Sequence, residues 1–168
     1  MNDTDIEICY LSASETLKKY KEKKLSPVEV LSAVIKRIET VNPKINAFNY
    51  LDFDKSLELA KESEKKFSNN NDVLPLEGLP LAIKDEVNIK GQPNRNGCLL
   101  LKNNIAQKTD IDVETIVNSG AILHGRTTNP EFSLTSFCHS KLNGVTRNPW
   151  NLDMTPGGSS GGSAAALA

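Results

Sequence analysis

The 168-residue sequence lacks an excess of either charge: 20 lysines and arginines stand against 21 aspartates and glutamates, for a formal net charge of -1. So balanced a surface gathers neither a polyphosphate nor an anionic membrane, which argues against direct nucleic-acid binding. No apolar run approaches the roughly 18 residues of a membrane-spanning helix. The opening, MNDTDIEICY, has neither the basic segment nor the apolar stretch of a secretory signal, so the expectation is a cytoplasmic protein with no membrane partner. Cysteine is scarce. Cys9, Cys98 and Cys138 are odd in number, far apart, and form no CxxC pair or zinc-like spacing with His124 and His139, so neither a disulfide framework nor a metal site is expected. Cys138 and His139 are adjacent, but neighbours on a strand point to opposite faces, which argues against a Cys/His nucleophile.

What is present describes an ordinary globular chain, with 38% apolar residues. Ser12 and Glu15 have the spacing of a capping box, and SASETLKKYKEKK reads as a short charged helix with a solvated face. Ser26, Pro27 at the first helical position and Glu29 start a second helix. Its apolar stripe of Val30, Leu31, Val34, Ile38 and Val41 marks a core face, and Asn42 and Pro43 are expected to stop it. Residues 45–51 resemble a strand, 54–67 a third helix, and SNNNDV a polar loop. The pattern then alternates: an apolar run at 79–85, a helix over 110–120 with Gly120 as its C-cap, and a buried strand at 121–125. Strand, helix and strand in that order favour a right-handed parallel crossover. The expected class is therefore α/β, a mixed and mostly parallel sheet covered by helices on both faces, with 1–70 mainly helical and 71–168 the start of the α/β core.

The compositionally biased tract is TPGGSSGGSAAALA, at 155–168. A linker is the simplest reading of so much glycine and serine, but the tract follows the bulky GVTRNPWNLDMTP and leads straight into an alanine-rich helix start. A phosphate loop needs a lysine, and none follows Lys141. Gly158, Ser160 and Gly162 match a nucleophile elbow, yet Pro149 and Pro156 break any preceding strand and both histidines come before the serine. What remains is a loop of hydroxyls and N–H groups at a helix N-terminus, where negative charge is favoured. A serine hydrolase without a usable histidine needs another base, and lysine is the known substitute. Lys84, at the end of the apolar PLAI run, is the candidate, with Asp85 facing the other way.

Three stretches, GLPLAIKDEVNIKG, GAILHGRTTNPEFS and NGVTRNPWNLDMTPGGSSGGSAAALA, resemble the amidase signature family, hydrolases of carboxylic amides with a Ser-cisSer-Lys triad; LSPVEVLSAVIKRIETVNPKINAF is similar to that family's opening helices. The resemblance runs from about Ser12 onward. It implies that Lys84 is the catalytic lysine and Ser159 the bridging serine, joined to Gly158 by a cis peptide bond; Gly158, Ser160 and Phe132 are taken as candidate substrate contacts, and Phe137 stands with Phe132 as a further one. It implies no cofactor and no metal, and a small-molecule amide as substrate. The family's acyl-forming serine and oxyanion donors lie about two dozen residues farther on, in a D-x-G-G-S segment that these 168 residues do not contain. The expectation is therefore the N-terminal part of a single amidase domain, inactive alone, that could pair with a complementary C-terminal fragment or form a homodimer. An incomplete sheet with an open edge and bare apolar helix faces invites such association. TTNPEFS and HSKLNGVTRNPWN look more like the general amidases than like the A subunit of the tRNA-dependent amidotransferase, which usually has an N-M-D-E-F type segment at the first place; that amidotransferase component, or a non-catalytic remnant, is the alternative.

Overall fold

The computed structural model describes residues 2–168. The two helices for which the sequence shows capping boxes begin at those boxes. Helix α1 (Asp3–Cys9), for which the sequence offered no expectation, opens on the Asn2 side chain accepting from the Asp5 N–H at 2.8 Å. Helix α2 (Ala13–Lys21) carries the Ser12/Glu15 capping box with both reciprocal hydrogen bonds made. Helix α3 (Pro27–Ile45) opens on its own box: Ser26 N–H donates to Glu29 Oε2 at 2.8 Å and Glu29 N–H to Ser26 Oγ at 3.2 Å.

Asn42 and Pro43 do not stop α3, which runs to Ile45. Proline is disruptive inside a helix because it lacks an N–H and crowds the carbonyl four residues back. Here it falls in the last turn, and the true stop is Asn46 in the left-handed region at φ 50. The Asn42 carboxamide oxygen then accepts the N–H groups of Ala47 (2.8 Å) and Phe48 (2.9 Å), turning the chain into strand β1 (Phe48–Leu51) three residues later than expected. Helix α4 (Phe53–Asn69) ends on left-handed Asn70. Strand β2 (Pro80–Lys84), helix α5 (Ile111–Asn118) and strand β3 (Ile122–Thr127) follow. A two-stranded ribbon, β4 (His139–Ser140) with β5 (Gly144–Val145), and helix α6 (Gly161–Leu167) complete the order.

The main sheet has the order β1-β3-β2 and is mixed. Strand β1 runs antiparallel to β3, with Tyr50 opposite Arg126 and Leu51 opposite Gly125. Strand β2 runs parallel to β3, since the Ile122 N–H donates to the Leu79 carbonyl at one end and the Asp85 N–H to the Thr127 carbonyl at the other. Strand β3 continues past Gly125 because glycine leaves room there: a Cβ would lie 2.9 Å from Leu51 Cδ2 and 3.0 Å from the Tyr50 carbonyl.

The chain forms two compact units. The first comprises residues up to Thr40, Asp52–Leu81 and Glu114–His124. Its core is apolar: Leu31, Ile35, Ala60 and Ile122 pack with Val28, Phe53 and Leu57, while Tyr20, Val30 and Phe67 form a second cluster with the Tyr20 and Phe67 rings 5.2 Å apart. The second comprises Val41–Leu51, Ala82–Val113 and Gly125–Ala168. Its interior is conspicuously polar, with Asp85, Arg126, Thr127, Thr128, Asn129 and Thr146 all buried. Buried polar groups must find partners, so this unit is organised by hydrogen bonds that fix side-chain positions rather than by area alone.

Candidate active site

Lys84 is the last residue of β2, and the alternation of the strand decides where it and its neighbour go. Asp85 turns inward, where its carboxylate accepts from Asn49 Nδ2 at 3.0 Å and from the Arg95 N–H at 3.4 Å. Lys84 turns to the other side. Its side chain is 11% exposed, and Nζ donates to Ser159 Oγ at 2.7 Å and lies 2.9 Å from Glu86 Oε1.

Arg126 of β3, fully buried, holds the turn that presents this lysine. Its Nη2 donates to the carbonyl oxygens of Lys84 (3.0 Å) and Val87, and Nη1 to the Pro93 carbonyl (3.3 Å) and Gln92 Oε1 (3.5 Å). A planar guanidinium with donors on two sides can tie several carbonyls at fixed geometry, which a lysine cannot.

Ser159 is set from the other end by helix α6. The Gly162 N–H donates to the Thr128 carbonyl at 3.1 Å, and the Ser163 and Thr127 hydroxyls share a 2.7 Å hydrogen bond, so the first turn of α6 is pinned to the end of β3. The Gly158–Ser159 peptide bond is cis. Gly158 lies against the main chain of Phe137, where a Cβ would come within 2.8 Å of its N and 2.9 Å of its O, so no side chain fits.

Two effects oppose each other at Glu86. Burial alone would push its carboxyl up, but the Ser133 hydroxyl and the Lys84 ammonium outweigh it and hold the group below its ordinary value. The lysine's nearest anion is thus ionised at neutral pH.

The structure brings Lys84 and Ser159 together, with Gly158 beside Ser159. Ser160 is exposed and begins α6 without a side-chain capping bond. Phe132 lies half-exposed in a separate turn, in the left-handed region at φ 50, its N–H donating to the Asn96 carbonyl. Phe137 stacks on the exposed His139 ring at 4.4 Å. Cys138 is buried against the hydroxyls of Thr128 and Thr146, whereas His139 is exposed. Among the described residues no group of three or more His, Cys, Asp or Glu could hold a metal, and no helix is long and apolar enough to cross a membrane. Sequence reading missed Glu86 and Arg126. Arg126 left a signal, a lone cation inside the apolar AILHGRT strand; Glu86 left only its place two residues beyond Lys84.

The family model described as Amidase matches residues 29–168, from the first turn of α3 through the whole of this site. The chain belongs to the amidase family. It is 41% identical over 158 residues to the A subunit of the glutamyl-tRNA(Gln) amidotransferase from Methylacidiphilum infernorum, covering 94% of this chain and 31% of that protein. It is 37% identical over 158 residues to the indoleacetamide hydrolase of Bradyrhizobium diazoefficiens, covering 94% and 30%. The solved structure of fatty acid amide hydrolase superposes with a TM-score of 0.92 at 30% identity, covering 98% of this chain and 29% of that one. The amidase chain thus spans about a third of the length of these relatives.

Proposed function

We propose that these residues are the N-terminal part of a single amidase domain and supply the base and bridging hydroxyl that hydrolyse a carboxylic amide to an acid and ammonia or an amine. The observation that carries the reading is the 2.7 Å contact between Lys84 Nζ and Ser159 Oγ in a largely buried setting. A neutral Lys84 takes the Ser159 proton while Ser159 Oγ takes the proton of an attacking serine, whose oxygen bonds to the amide carbon. The proton then returns through Ser159 to the leaving nitrogen as the C–N bond breaks. Water cleaves the acyl ester through the same relay. The attacking serine and oxyanion donors belong to the D-x-G-G-S segment that the family resemblance implies, outside these 168 residues.

The substrate read from TTNPEFS and HSKLNGVTRNPWN is a simple aliphatic or aryl amide. Glutamine is the second reading, favoured by the 41% identity to the A subunit of an amidotransferase. The test is turnover of glutamine and of an amide panel by the 168-residue chain and by a protein that includes the nucleophile segment. The chain alone is expected to turn over nothing above background. In the longer protein, Lys84→Ala and Ser159→Ala are each expected to lower the acylation rate by about 100-fold or more with substrate binding nearly unchanged. Unaltered turnover in Ser159→Ala refutes the role given to that residue.

A further inference from the structure

The ribbon β4-β5 carries a further set of side chains close to Ser159, and strand alternation sorts them. Cys138 and Thr146 turn inward and are buried, joined by the Thr146 N–H donating to the Cys138 carbonyl at 2.9 Å. Phe137, His139 and Val145 turn the other way and are exposed. Val145 is the register partner of His139, and the Phe137 and His139 rings stack with centroids 4.4 Å apart and planes 13° from parallel. The ribbon holds them in place. Asn46 Nδ2 donates to the carbonyls of Asn143 (2.7 Å) and Val145 (3.2 Å), the Asn143 N–H donates to Ser140 Oγ at 2.9 Å, and the Thr135 hydroxyl donates to the Phe137 carbonyl at 3.1 Å. The Phe137 main chain in turn lies against Gly158, the residue bonded to Ser159.

We propose that the stacked Phe137–His139 pair, with Val145 beside it, receives an aryl group of the amide substrate and so selects aryl over aliphatic amides. The proposal rests on the Lys84–Ser159 reading above, which brings the scissile amide beside Ser159. Flat rings offer an incoming flat ring offset or edge-on contacts that a saturated ring or chain cannot match, because its hydrogens stand off on both sides. In a benzamide a single bond joins the ring to the carbonyl carbon, so the wall that takes the ring must stand close to the relay, where Phe137 is. A wall already held in place loses little freedom when a ligand arrives. Phe137 is 40% exposed and Val145 51%, so packing within the chain does not use up this surface.

Benzamide and cyclohexanecarboxamide are close in size and differ mainly in flatness, which makes them the probes. Titrated into the 168-residue chain at fixed pH and followed by proton NMR, benzamide should shift the ring protons of His139 saturably, with a midpoint about three- to tenfold lower than that of cyclohexanecarboxamide. His124, the other histidine of the chain, is buried and should hold its position, which reports an intact fold in each variant. Phe137→Leu keeps apolar bulk and loses the ring, so it should bring the two midpoints together, whereas Phe137→Tyr should keep them apart. In the longer protein the kcat/KM ratio for the same two amides should fall by about three- to tenfold in Phe137→Leu, through KM with kcat nearly unchanged. An absent or non-saturating His139 shift, equal midpoints in the wild-type chain, or a kcat/KM ratio that Phe137→Leu leaves unmoved each overturns the proposal. Failure of the underlying reading shows elsewhere: turnover of both amides in the longer protein would survive Lys84→Ala while the NMR midpoints still separated.

Discussion

Replacing Arg126 by methionine removes a buried charge and keeps much of the side-chain volume, so the loss isolates what the guanidinium does. Arg126 is fully buried and donates to the main-chain carbonyls of Lys84, Val87 and Pro93. Hydrogen bonds to charged groups contribute about 1.5–3 kcal/mol each, and three of them sharing one donor group do not add fully. Asp85, whose charge Arg126 feels, would also lose compensation in the interior. Removing one partner from such a buried set typically costs about 3–5 kcal/mol. Against a total stability on the order of 5–15 kcal/mol, that is a large share. Denaturant unfolding of the wild-type chain, Arg126→Met and Arg126→Lys, with the slope checked for constancy, measures it. The lysine variant keeps the charge but cannot reach acceptors on two sides, so it should recover only part of the loss. A methionine variant within about 1 kcal/mol of wild type refutes the claim that this guanidinium organises the turn carrying Lys84.

His124 gives the fold a pH dependence. Burial pushes its imidazole from an ordinary 6.5 down to about 4, so the unfolded chain takes up a proton that the folded chain refuses. This contribution to stability is complete above pH 6.5 and is lost as pH falls, by about 3 kcal/mol on reaching pH 4. Unfolding measured from pH 7 to 4 should show that fall, and His124→Gln should flatten it; an unchanged slope in the variant would remove His124 as the cause. Gly120→Ala should destabilise the chain by about 2 kcal/mol or more in thermal unfolding, since φ there is +100 and the new Cβ would sit 2.8 Å from Glu77 Cα and 2.9 Å from its N. A variant as stable as wild type would mean that the Glu77 main chain can yield.

The sequence was most legible where physics is local. Both capping boxes formed, because their reciprocal hydrogen bonds need only a three-residue spacing. The α3 stripe buried Val30, Leu31 and Ile38 as the helical period requires. It was least legible at boundaries and on the short ribbon. The end of α3 turned on Asn42 reaching forward to two N–H groups, which competes with the simple rule that proline stops a helix. The ribbon β4-β5 has two residues in each strand, too few for any period to show.

By itself the sequence determined the family and named the two residues of greatest interest, because a specific string of glycines, serines and prolines around Ser159 and an apolar run ending at Lys84 are properties of adjacent residues. Only the tertiary structure decided that these two side chains, 75 residues apart, stand 2.7 Å from each other, that Glu86 lies 2.9 Å from the same amine, and that Arg126 ties down the turn that follows Lys84. Contacts of that range depend on where β2, β3 and α6 place their ends, and no spacing along the chain encodes a distance across it.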